Sequence, residues 1–534
     1  MQLNIVDRAI AFFDPARGAA RARQRVQIAA ADQLLQHPGL SAMGPADSSE
    51  AVNRSSRWWN PSPRDARADS MARLPLQRGA SRELARTSPI ATGAINTNLD
   101  RVVGTGLALV AAPAMKVLGW SDERAQAWKT KVQQEFSLWA DSTDCDLEST
   151  LTFYQLQQLV LRSTLESGDC FSNLPDAART RMQPYALRIQ VLEADRIGNP
   201  LGKMDTATIA GGVKLDAAGA PVSYFIYDQH PGSAQAVGAR AFRGEWVDRI
   251  GNRSGRRRVL HHFRKQRPGA VRGVPYLAPV IDCIKQISRY TEAEIMAAVI
   301  TSYLTVFIET PDGTPSGVFQ GETRQEEESG EIALGMGSVV GLAPGEKASL
   351  VNPGRPNPNF EPFILAVIKQ IGMGLGLPYE LLLKQFNASY SASKAALLDA
   401  WAYFRGVRNW LALSFCQPIY ETWMTEAVAT GRIEAPGYFS DPLMRWAYTR
   451  AAWPGDSMGS ISPKDEVAAY VAAIDARLMT RERAMWELFS DSFDDTYSQM
   501  KSEHDRLKAD GILPVPKAGA PAPQQNKPPE EPQT

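Results

Sequence analysis

The chain has 534 residues, enough for roughly two to four structural units. Lys plus Arg and Asp plus Glu number 58 each, so the net charge is zero, which argues against a protein that coats nucleic acid over its whole surface. We expect no signal peptide, because Asp7 and Arg8 interrupt the apolar N-terminal stretch, and no run of about eighteen uncharged apolar residues occurs. Its four cysteines form no CxxC pair. We therefore expect a soluble intracellular protein without a membrane span, disulfide framework or metal site.

The N-terminal 80 residues are predicted to form an arm that is extended in part. Residues 1–90 contain thirteen arginines and no lysine, and the stretch from Pro38 to Arg82 is rich in Ser, Asp, Arg and Pro. Helical spacing occurs within the first 36 residues. Two functions fit this arm: its arginines bind phosphate, or it is solvated and docks on a neighbouring subunit.

Residues 81–274 have the pattern of a mixed α/β body. Ser88 is predicted to cap a helix that begins at Pro89. Gly104 and Gly106 indicate a turn before a short strand. The other predicted elements are helices over Arg124–Ala140 and Leu151–Ser167, a strand over Leu107–Ala111, and strands within FSNL, YALRIQVLEADRI, GGVKLDAAGAPVSYFIYD and RRRVLHHF.

A basic run closes this body and is the most positive segment of the chain. Its members are Arg253, Arg256, Arg257, Arg258, His261, His262, Arg264, Lys265, Arg267 and Arg272. The candidate contact residues for nucleic acid or for a subunit interface are Arg256, Arg257, Arg258, Arg264 and Lys265. The alternative is a strand edge that its charges keep from aggregating.

The rest of the chain is mostly helical by its periodicity. The predicted parts are a helix over 275–304, a β-rich segment over 305–357 with the acidic loop ETRQEEESGE, a helix over 358–383, a polar loop over 384–392, a long helix followed by loops over 393–462, a helical part over 463–510 and a disordered tail over 511–534. Pro418 is expected to kink the long helix, and Gly406 is a second weak point.

Two motifs point formally to catalysis or cofactor binding, and both lack the required context. Residues 455–459 match G-x-S-x-G around Ser457, but Pro454 precedes the motif and the next helix waits for Pro463. The glycines at 372, 374 and 376 follow no strand, so they are not a dinucleotide fingerprint. We therefore predict no enzyme and no cofactor.

Several long blocks resemble the lambda-like portal proteins of tailed bacteriophages. The resemblance covers roughly residues 82–483 in the order of that family. The blocks are TSPIATGAINTNLDRVVGTGL, LESGDCF, LRIQVLEADRI, RPGAVRGVPYLAPVIDCIKQISRYTEAE, LGLPYELLLKQFNASYSASKAALLDAW, RNWLALSFCQPIYETW and GRIEAPGYFSDP.

The resemblance implies an α+β portal fold, assembled as a ring, usually of twelve copies, at one vertex of the virion capsid. It implies a mixed α/β wing over 81–274, stem helices over 275–304 and 358–383, a clip over 305–357, a tunnel loop over 384–392, the long kinked helix with the second wing part over 393–462, and a crown over 463–510. The implied partners are double-stranded DNA in the channel, the terminase large subunit, a head–tail connector, the major capsid protein and a scaffold. Assembly would take place in the bacterial cytoplasm, without a membrane.

The resemblance also nominates two sets of site residues. The tunnel-loop candidates are Lys384, Gln385, Asn387, Ser389, Tyr390, Ser391 and Lys394. The candidates for docking terminase or the connector are Glu322, Arg324, Glu326, Glu327, Glu328 and Glu331. Two alternatives of other classes stay open, a capsid-associated hydrolase that uses Ser457 and a DNA-binding scaffold that uses the arginine-rich arm.

Overall fold

The computed structural model describes residues 64–234, 236, 241–303, 307–309, 347–349, 358–386, 389–457, 463–489 and 493–510. The chain divides into Met1–Arg64 and Asp65–Thr534, and all elements below belong to the second unit. The arm predicted over residues 1–63 and the tail predicted from 511 lie outside the described residues.

The first part of this unit is helical, and side-chain caps fix the start of four of its six helices. Its helices are α1 (Ala66–Ser70), α2 (Leu74–Thr87), α3 (Pro89–Val102), α4 (Met115–Leu118), α5 (Asp122–Ala140) and α6 (Phe153–Ser167). The predicted cap of α3 is confirmed, because Ser88 accepts a hydrogen bond from the Ala91 amide. Helix α6 begins with a capping box in which Thr152 and Gln155 bond each other's backbone amides.

The prediction of extended chain up to Arg82 is wrong for its last part. Helices α1 and α2 occupy most of residues 66–87, and Arg78 in α2 is buried. The Ser-, Asp- and Arg-rich composition suggested an extended arm. Tertiary contacts of Arg78 and Arg82 with Ser167, with buried Asp169 and with half-buried Asp195 overrode that local signal.

Short antiparallel sheets follow the helices. The strands are β1 (Val110–Ala111), β2 (Asp169–Asn173), β3 (Gln190–Glu193), β4 (Ile209–Ala210), β5 (Val213–Leu215), β6 (Pro221–Tyr227), β7 (Gly244–Asp248) and β8 (Val259–Phe263). One sheet has the order β3-β2-β8 and another the order β4-β5-β6-β7. The strand predicted over Leu107–Ala111 is shorter than expected, because only β1 pairs, with β11 (Ala451–Ala452).

Long helices dominate the remaining described residues. They comprise α7 (Ile281–Tyr303), the strands β9 (Phe307–Glu309) and β10 (Lys347–Ser349), α8 (Phe360–Leu375), α9 (Tyr379–Leu383), α10 (Tyr390–Leu411), a π-helical segment (Ala412–Cys416), α11 (Gln417–Ala429), α12 (Pro442–Thr449), α13 (Pro463–Asp475), α14 (Arg481–Phe489) and α15 (Phe493–Ala509). None of the helices in the described ranges is long and apolar enough to cross a membrane.

Two helix breaks differ in detail from the predictions. The single helix predicted over 358–383 is two helices, because Gly376 adopts φ 69° and Pro378 follows. In the longer helix a π-helical segment lies directly before Pro418, which lacks a backbone donor. Gly406 lies within α10, which continues through it.

The main core joins α5, α6, α10 and α11. Phe136, Trp139 and Trp423 are buried there, and the Phe136 and Trp423 rings meet edge to face at 5.1 Å. The segment before α7 and the first turns of α7 belong to the same core, through Leu277 and Val280 and through Ile284 and Ile287 respectively. Farther along α7 the apolar side chains are no longer buried, since Ile295 and Val299 are exposed.

Candidate functional site

The predicted tunnel loop connects α9 to α10, and hydrogen bonds fix both of its ends. Lys384 ends α9 in the left-handed conformation, with φ 53°. The Gln385 amide donates to the Glu380 carbonyl at 3.0 Å, which closes the last turn. On the other side the Ser389 hydroxyl accepts from the Ala392 amide and caps α10.

The structure places most of the predicted loop residues at the surface or at these helix ends. Lys384, Gln385 and Ser389 are exposed, and Lys394 is half-buried in the second turn of α10. Tyr390 and Ser391 belong to the backbone of α10. Asn387 lies outside the described residues. The position of Lys384 at a helix C-terminus also suits the ordinary interaction of a cation with the helix dipole.

Contacts along their length hold helices α7 and α8 together. The Tyr276 hydroxyl donates to the Leu375 carbonyl at 2.6 Å and accepts from the Asn98 amide at 3.3 Å. Burial raises the pKa of Tyr276 well above its ordinary value, so the hydroxyl keeps its proton. Farther along, the Tyr290 ring packs on Phe360 and Phe363 at centroid distances of 5.7 and 5.0 Å.

The glycines at 372, 374 and 376 have a packing role. A Cβ atom on Gly374 would lie 2.8 Å from the Val280 side chain, and one on Gly372 would lie 2.6 Å from the Leu377 carbonyl oxygen. Gly376 supplies the left-handed end of α8. These glycines, whose spacing formally suggested a dinucleotide fingerprint, therefore allow α8 to approach the start of α7 closely.

The long helix α10 is anchored in the body by Arg408. Its guanidinium donates to the carbonyls of Val102, Arg101 and Asp456, each at 2.9 Å. The first two acceptors end helix α3, where a cation is favoured. Burial lowers the pKa of Arg408, and the nearby Asp456 carboxylate opposes that shift. The C-terminal end of α10, the helix that follows the loop, is thus bound to the end of α3 and to the segment around Asp456.

The basic run does not form a single free surface. Arg256 forms an ion pair with Asp176, Arg257 with Glu421 at 3.2 Å and Arg267 with Asp69 at 2.7 Å. Arg258 is exposed just before β8, which is an edge strand. This position fits the alternative in which charges keep a strand edge from aggregating. Intramolecular acids thus occupy part of the run, and contact with nucleic acid stays a prediction.

Arg264 and Lys265 instead line an open cavity of about 750 Å³. The cavity lies where α6, α8 and α10 meet the start of α7, and the Arg264 guanidinium is 5.9 Å from the centre of the Tyr403 ring. Arg264 and Lys265 therefore face a cavity, whereas Arg256 and Arg257 form ion pairs with acids of the same chain.

A buried charge cluster, which the sequence patterns did not single out, lies under the sheet β3-β2-β8. Arg78 and Arg272 donate to the Asp169 carboxylate at 2.6 and 2.5 Å, and all three side chains are almost fully buried. The Gly273 amide and His261 Nε2 lie 3.2 Å from the same carboxylate. Arg272 also donates to the carbonyls of three further residues, which satisfies its remaining donors (Ile197, Gly211 and Ala194).

The pKa shifts in the cluster follow from burial and pairing. Burial alone raises the pKa of Asp169, but the charges of Arg272 and Arg78 outweigh it and hold that pKa well below its usual range. Burial lowers the pKa of Arg78 to about 10, although Asp169 acts in the opposite direction. The ions are therefore compensated, and the cluster joins α2, β2, β8 and the segment that leads into α7.

His262 should make the stability of the chain depend on pH. Burial, together with the charge of His261, lowers the pKa of His262 to about 3, and its Nε2 lies 2.9 Å from the Ser172 hydroxyl. Because the unfolded value is about 6.5, the unfolded chain binds this proton first as the pH falls. The contribution of neutral His262 to the free energy of unfolding is complete above about pH 6.5 and is lost as the pH falls towards 3. Between pH 7.5 and 5.5 we expect a loss of about 1 kcal/mol from this residue.

Urea unfolding across that pH range measures the effect. His262→Gln should flatten the pH dependence, because glutamine has no proton to bind in this range. An unaltered slope in His262→Gln would contradict the assignment.

The hydrolase alternative finds no support at Ser457. Residues 453–457 are neither strand nor helix, and the next described helix begins at Pro463. The Ser457 hydroxyl donates to the Leu488 carbonyl at 3.1 Å, and Asp456 accepts from the Thr105 amide and hydroxyl. This segment connects the body to α14. Over the described ranges no cluster of three or more His, Cys, Asp or Glu side chains could hold a metal ion.

The predicted docking residues of the acidic loop, Glu322 to Glu331, lie outside the described residues. On either side of that loop, β9 and β10 pair antiparallel, with Phe307 opposite Ser349 and Glu309 opposite Lys347. The β-rich character predicted for 305–357 is confirmed for these two strands.

Known proteins resemble this chain over most of its length. The portal proteins of Escherichia phage N15 and Escherichia phage lambda (portal protein B) are each 25% identical to it over 488 residues, which cover 87% of this chain and 90% of the relative. A chain from the virion of a native gene transfer agent particle is 14% identical with a TM-score of 0.40, and the match covers 82% of this chain and 98% of that one.

The family model for phage portal proteins of the lambda family matches residues 52–408, more than half of the sequence. That range includes α1 to α9 and most of α10, so it contains the buried charge cluster, the paired helices α7 and α8, and the loop that follows them. The chain therefore belongs to the lambda family of phage portal proteins.

Proposed function

We propose that copies of this chain assemble into a ring around a central channel at one capsid vertex, and that double-stranded DNA passes through it during packaging and ejection. The observation that carries the ring is the outer half of α7, where Ile295, Met296 and Val299 are 58%, 56% and 44% exposed. A continuous apolar face on a long helix is the usual mark of an interface. A neighbouring copy of the same helix pair would cover it. The family suggests twelve copies.

The proposed parts follow the helices and strands described above. The wing comprises 81–274 and the part of 393–462 after the long helix, the stem comprises α7 and α8, the clip comprises 305–357, the tunnel loop comprises 384–392 and the crown comprises α13 to α15. Supporting this division, α7 and α8 are clamped together at Tyr276 and Tyr290, and α10 is anchored by Arg408.

The loop suits a channel through which a duplex must slide. Strong clamping of phosphates would stall the DNA, so a lining with few charges is favourable. Lys384 and Lys394 would give a modest positive ring, multiplied by the symmetry of the assembly. Particles with Lys384→Ala and Lys394→Ala should package and retain less DNA than the parent. Nuclease-protected DNA per particle measures this, and parental values in the double variant would remove the proposed role.

The acidic loop of the clip is the proposed docking site for the terminase large subunit and, after packaging, for the head–tail connector. Reversing the charge of Glu326, Glu327 and Glu328 to Lys should weaken terminase capture in a pull-down, since the complementary attraction becomes repulsion. Glu123→Lys reverses an exposed acid of α5, outside the clip, and should not weaken capture. Equal binding by all variants would exclude this loop. The major capsid protein and scaffold are the proposed partners of the ring during assembly in the bacterial cytoplasm.

Negative-stain electron microscopy of the purified chain tests the proposed assembly. Rings with a central hole are the expected result, and the same rings should occupy a single vertex of the virion. A chain that stays monomeric at micromolar concentration, and that is absent from purified particles, would overturn the proposal.

A further inference from the structure

The open cavity beside Arg264 and Lys265 is lined by cations and by no acid. It has a volume of about 750 Å³ and lies where α6, α8 and α10 meet the start of α7. The two cations follow directly after strand β8, and among the described residues no Asp or Glu lines the cavity. Arg264 and Lys265 therefore face this space without a compensating carboxylate.

A tyrosine hydroxyl adds a neutral donor to this cationic lining. The Tyr403 hydroxyl oxygen is buried and has no hydrogen-bond partner in the part of the chain that the structure describes. The Arg264 guanidinium lies 5.9 Å from the centre of the same ring. Burial raises the pKa of Tyr403, and the charge of Arg264 opposes that shift without reversing it, so the hydroxyl keeps its proton. The cavity thus offers two cations and one further donor to an anion.

The rest of the lining is mostly apolar. Its apolar members are Leu165, Val274, Pro275, Pro279, Met373 and Leu375. Sites for small molecules have volumes of roughly 300–1,000 Å³ and combine an apolar lining with a few polar groups that fix the orientation of the ligand. A small molecule with an anionic group and an organic body matches both parts of this lining.

We propose that this cavity binds a small phosphate ester, with the phosphate group at Arg264, Lys265 and the Tyr403 hydroxyl and the organic part against the apolar lining. Guanidinium and ammonium groups are common partners of phosphate oxygens in proteins. A phosphate monoester carries nearly two negative charges at neutral pH, which matches the two cations, whereas a carboxylate carries one. The site is separate from the proposed channel loop and does not depend on the ring.

A ligand at this site would connect separate parts of the fold. The lining comes from the segment after β8, the end of α8, the start of α7 and helix α10. A compound that binds only the folded chain raises its unfolding temperature by mass action. Binding should therefore stabilise the junction between the body and the helices α7, α8 and α10.

Isothermal titration calorimetry of the full chain with deoxyadenosine monophosphate tests the site. We expect saturable binding of one ligand per chain with a dissociation constant of at most about 1 mM. Deoxyadenosine, which lacks the phosphate, should bind at least about tenfold more weakly. No saturation by the nucleotide up to about 10 mM, or equal binding of the nucleoside, would overturn the proposal.

Paired charge variants locate the phosphate. Arg264→Ala with Lys265→Ala should weaken nucleotide binding by at least about tenfold, because the charge-assisted hydrogen bonds are lost. Arg253→Ala with Arg258→Ala removes the same charge from exposed positions of the basic run outside the cavity, so we expect a change within about twofold at physiological salt. Equal weakening by the two double variants would mean that the nucleotide responds to overall charge, which would overturn the site.

Filling the cavity provides a test that leaves the charge unchanged. Gln77 lines the cavity from helix α2, and Gln77→Trp should abolish nucleotide binding by occupying the space of the ligand. Leu76→Trp places the same ring at the neighbouring position, which is 78% exposed, and should bind like the parent. Thermal unfolding confirms that both variants are folded. Unchanged binding by a folded Gln77→Trp chain would overturn the assignment to this cavity.

Competition with DNA separates a small ester from a nucleic acid. At about 0.15 M salt a short DNA duplex, at the same phosphate concentration, should not displace the nucleotide, because exposed cations outside the cavity attract it only weakly there. Displacement that is lost in the Arg264→Ala, Lys265→Ala chain would overturn the small-ligand proposal and assign the two cations to DNA.

Discussion

Asp169→Asn is expected to lower the free energy of unfolding by about 3–5 kcal/mol, since it leaves buried Arg272 without an anion and leaves Arg78 only the more distant carboxylate of Asp195, at 3.4 Å. Arg78 and Arg272 both donate to this carboxylate, and Asp169 is completely buried. Asparagine keeps the shape of the side chain but removes the charge that compensates two cations. Urea unfolding followed by tryptophan fluorescence measures the loss.

Asp176→Asn is a matched control for this change. Asp176 also pairs with an arginine, Arg256, but its side chain is 58% exposed, so we expect a cost of at most about 1 kcal/mol. Similar losses in the two variants would show that burial of the Asp169 cluster contributes little.

The sign of the pH effect on the stability of the parent chain provides a second check on the Asp169 cluster. The pKa of Asp169 is depressed, so its stabilisation is present above the unfolded value of about 3.9 and is lost as the pH falls below it.

Ile295→Glu is expected to abolish ring assembly while leaving the folded subunit intact. The position is exposed in the single chain, so the substitution should change unfolding stability by no more than about 0.5 kcal/mol. In the proposed ring the same side chain lies against a neighbour, where an unpaired carboxylate would be desolvated. Electron microscopy and size-exclusion chromatography measure ring assembly, and thermal unfolding measures the stability of the folded subunit.

Two further variants make the result specific. Gln286→Glu places the same charge at an exposed polar position of α7, and we expect it to form rings. Val299→Glu, on the apolar face, should behave like Ile295→Glu. Normal rings in both Ile295→Glu and Val299→Glu would mean that the outer half of α7 is not a contact between subunits.

The described helices show which local signals were sufficient. The cap at Ser88 and the bounds of α6 follow from residues close together in sequence, and both match the predictions to within two residues. Helix α7 is uninterrupted as predicted, but it begins at Ile281, six residues later than expected. The break before Pro418 was predicted as a kink and is a π-helical segment, because a chain without that donor has more than one way to rearrange its hydrogen bonds.

The basic run shows where local signals were insufficient. Its charge was evident in the sequence, but the partners of Arg256, Arg257 and Arg272 are acids 80 to 164 positions away along the chain (Asp176, Glu421 and Asp169). No periodicity connects such distant residues. A charge run therefore could not be classified as a free surface or as an internal set of ion pairs before the fold was known.

The sequence by itself determined the family, the helical rods and the polar loop between them, because these depend on long matching blocks and on local periodicity. The tertiary structure alone decided which residues of those elements are buried and which remain exposed. It placed Asp169 between two arginines, used the Gly372 to Gly376 run for close packing, and left the outer half of α7 exposed. Burial depends on what each side chain packs against in three dimensions, and distant segments of the chain provide those contacts.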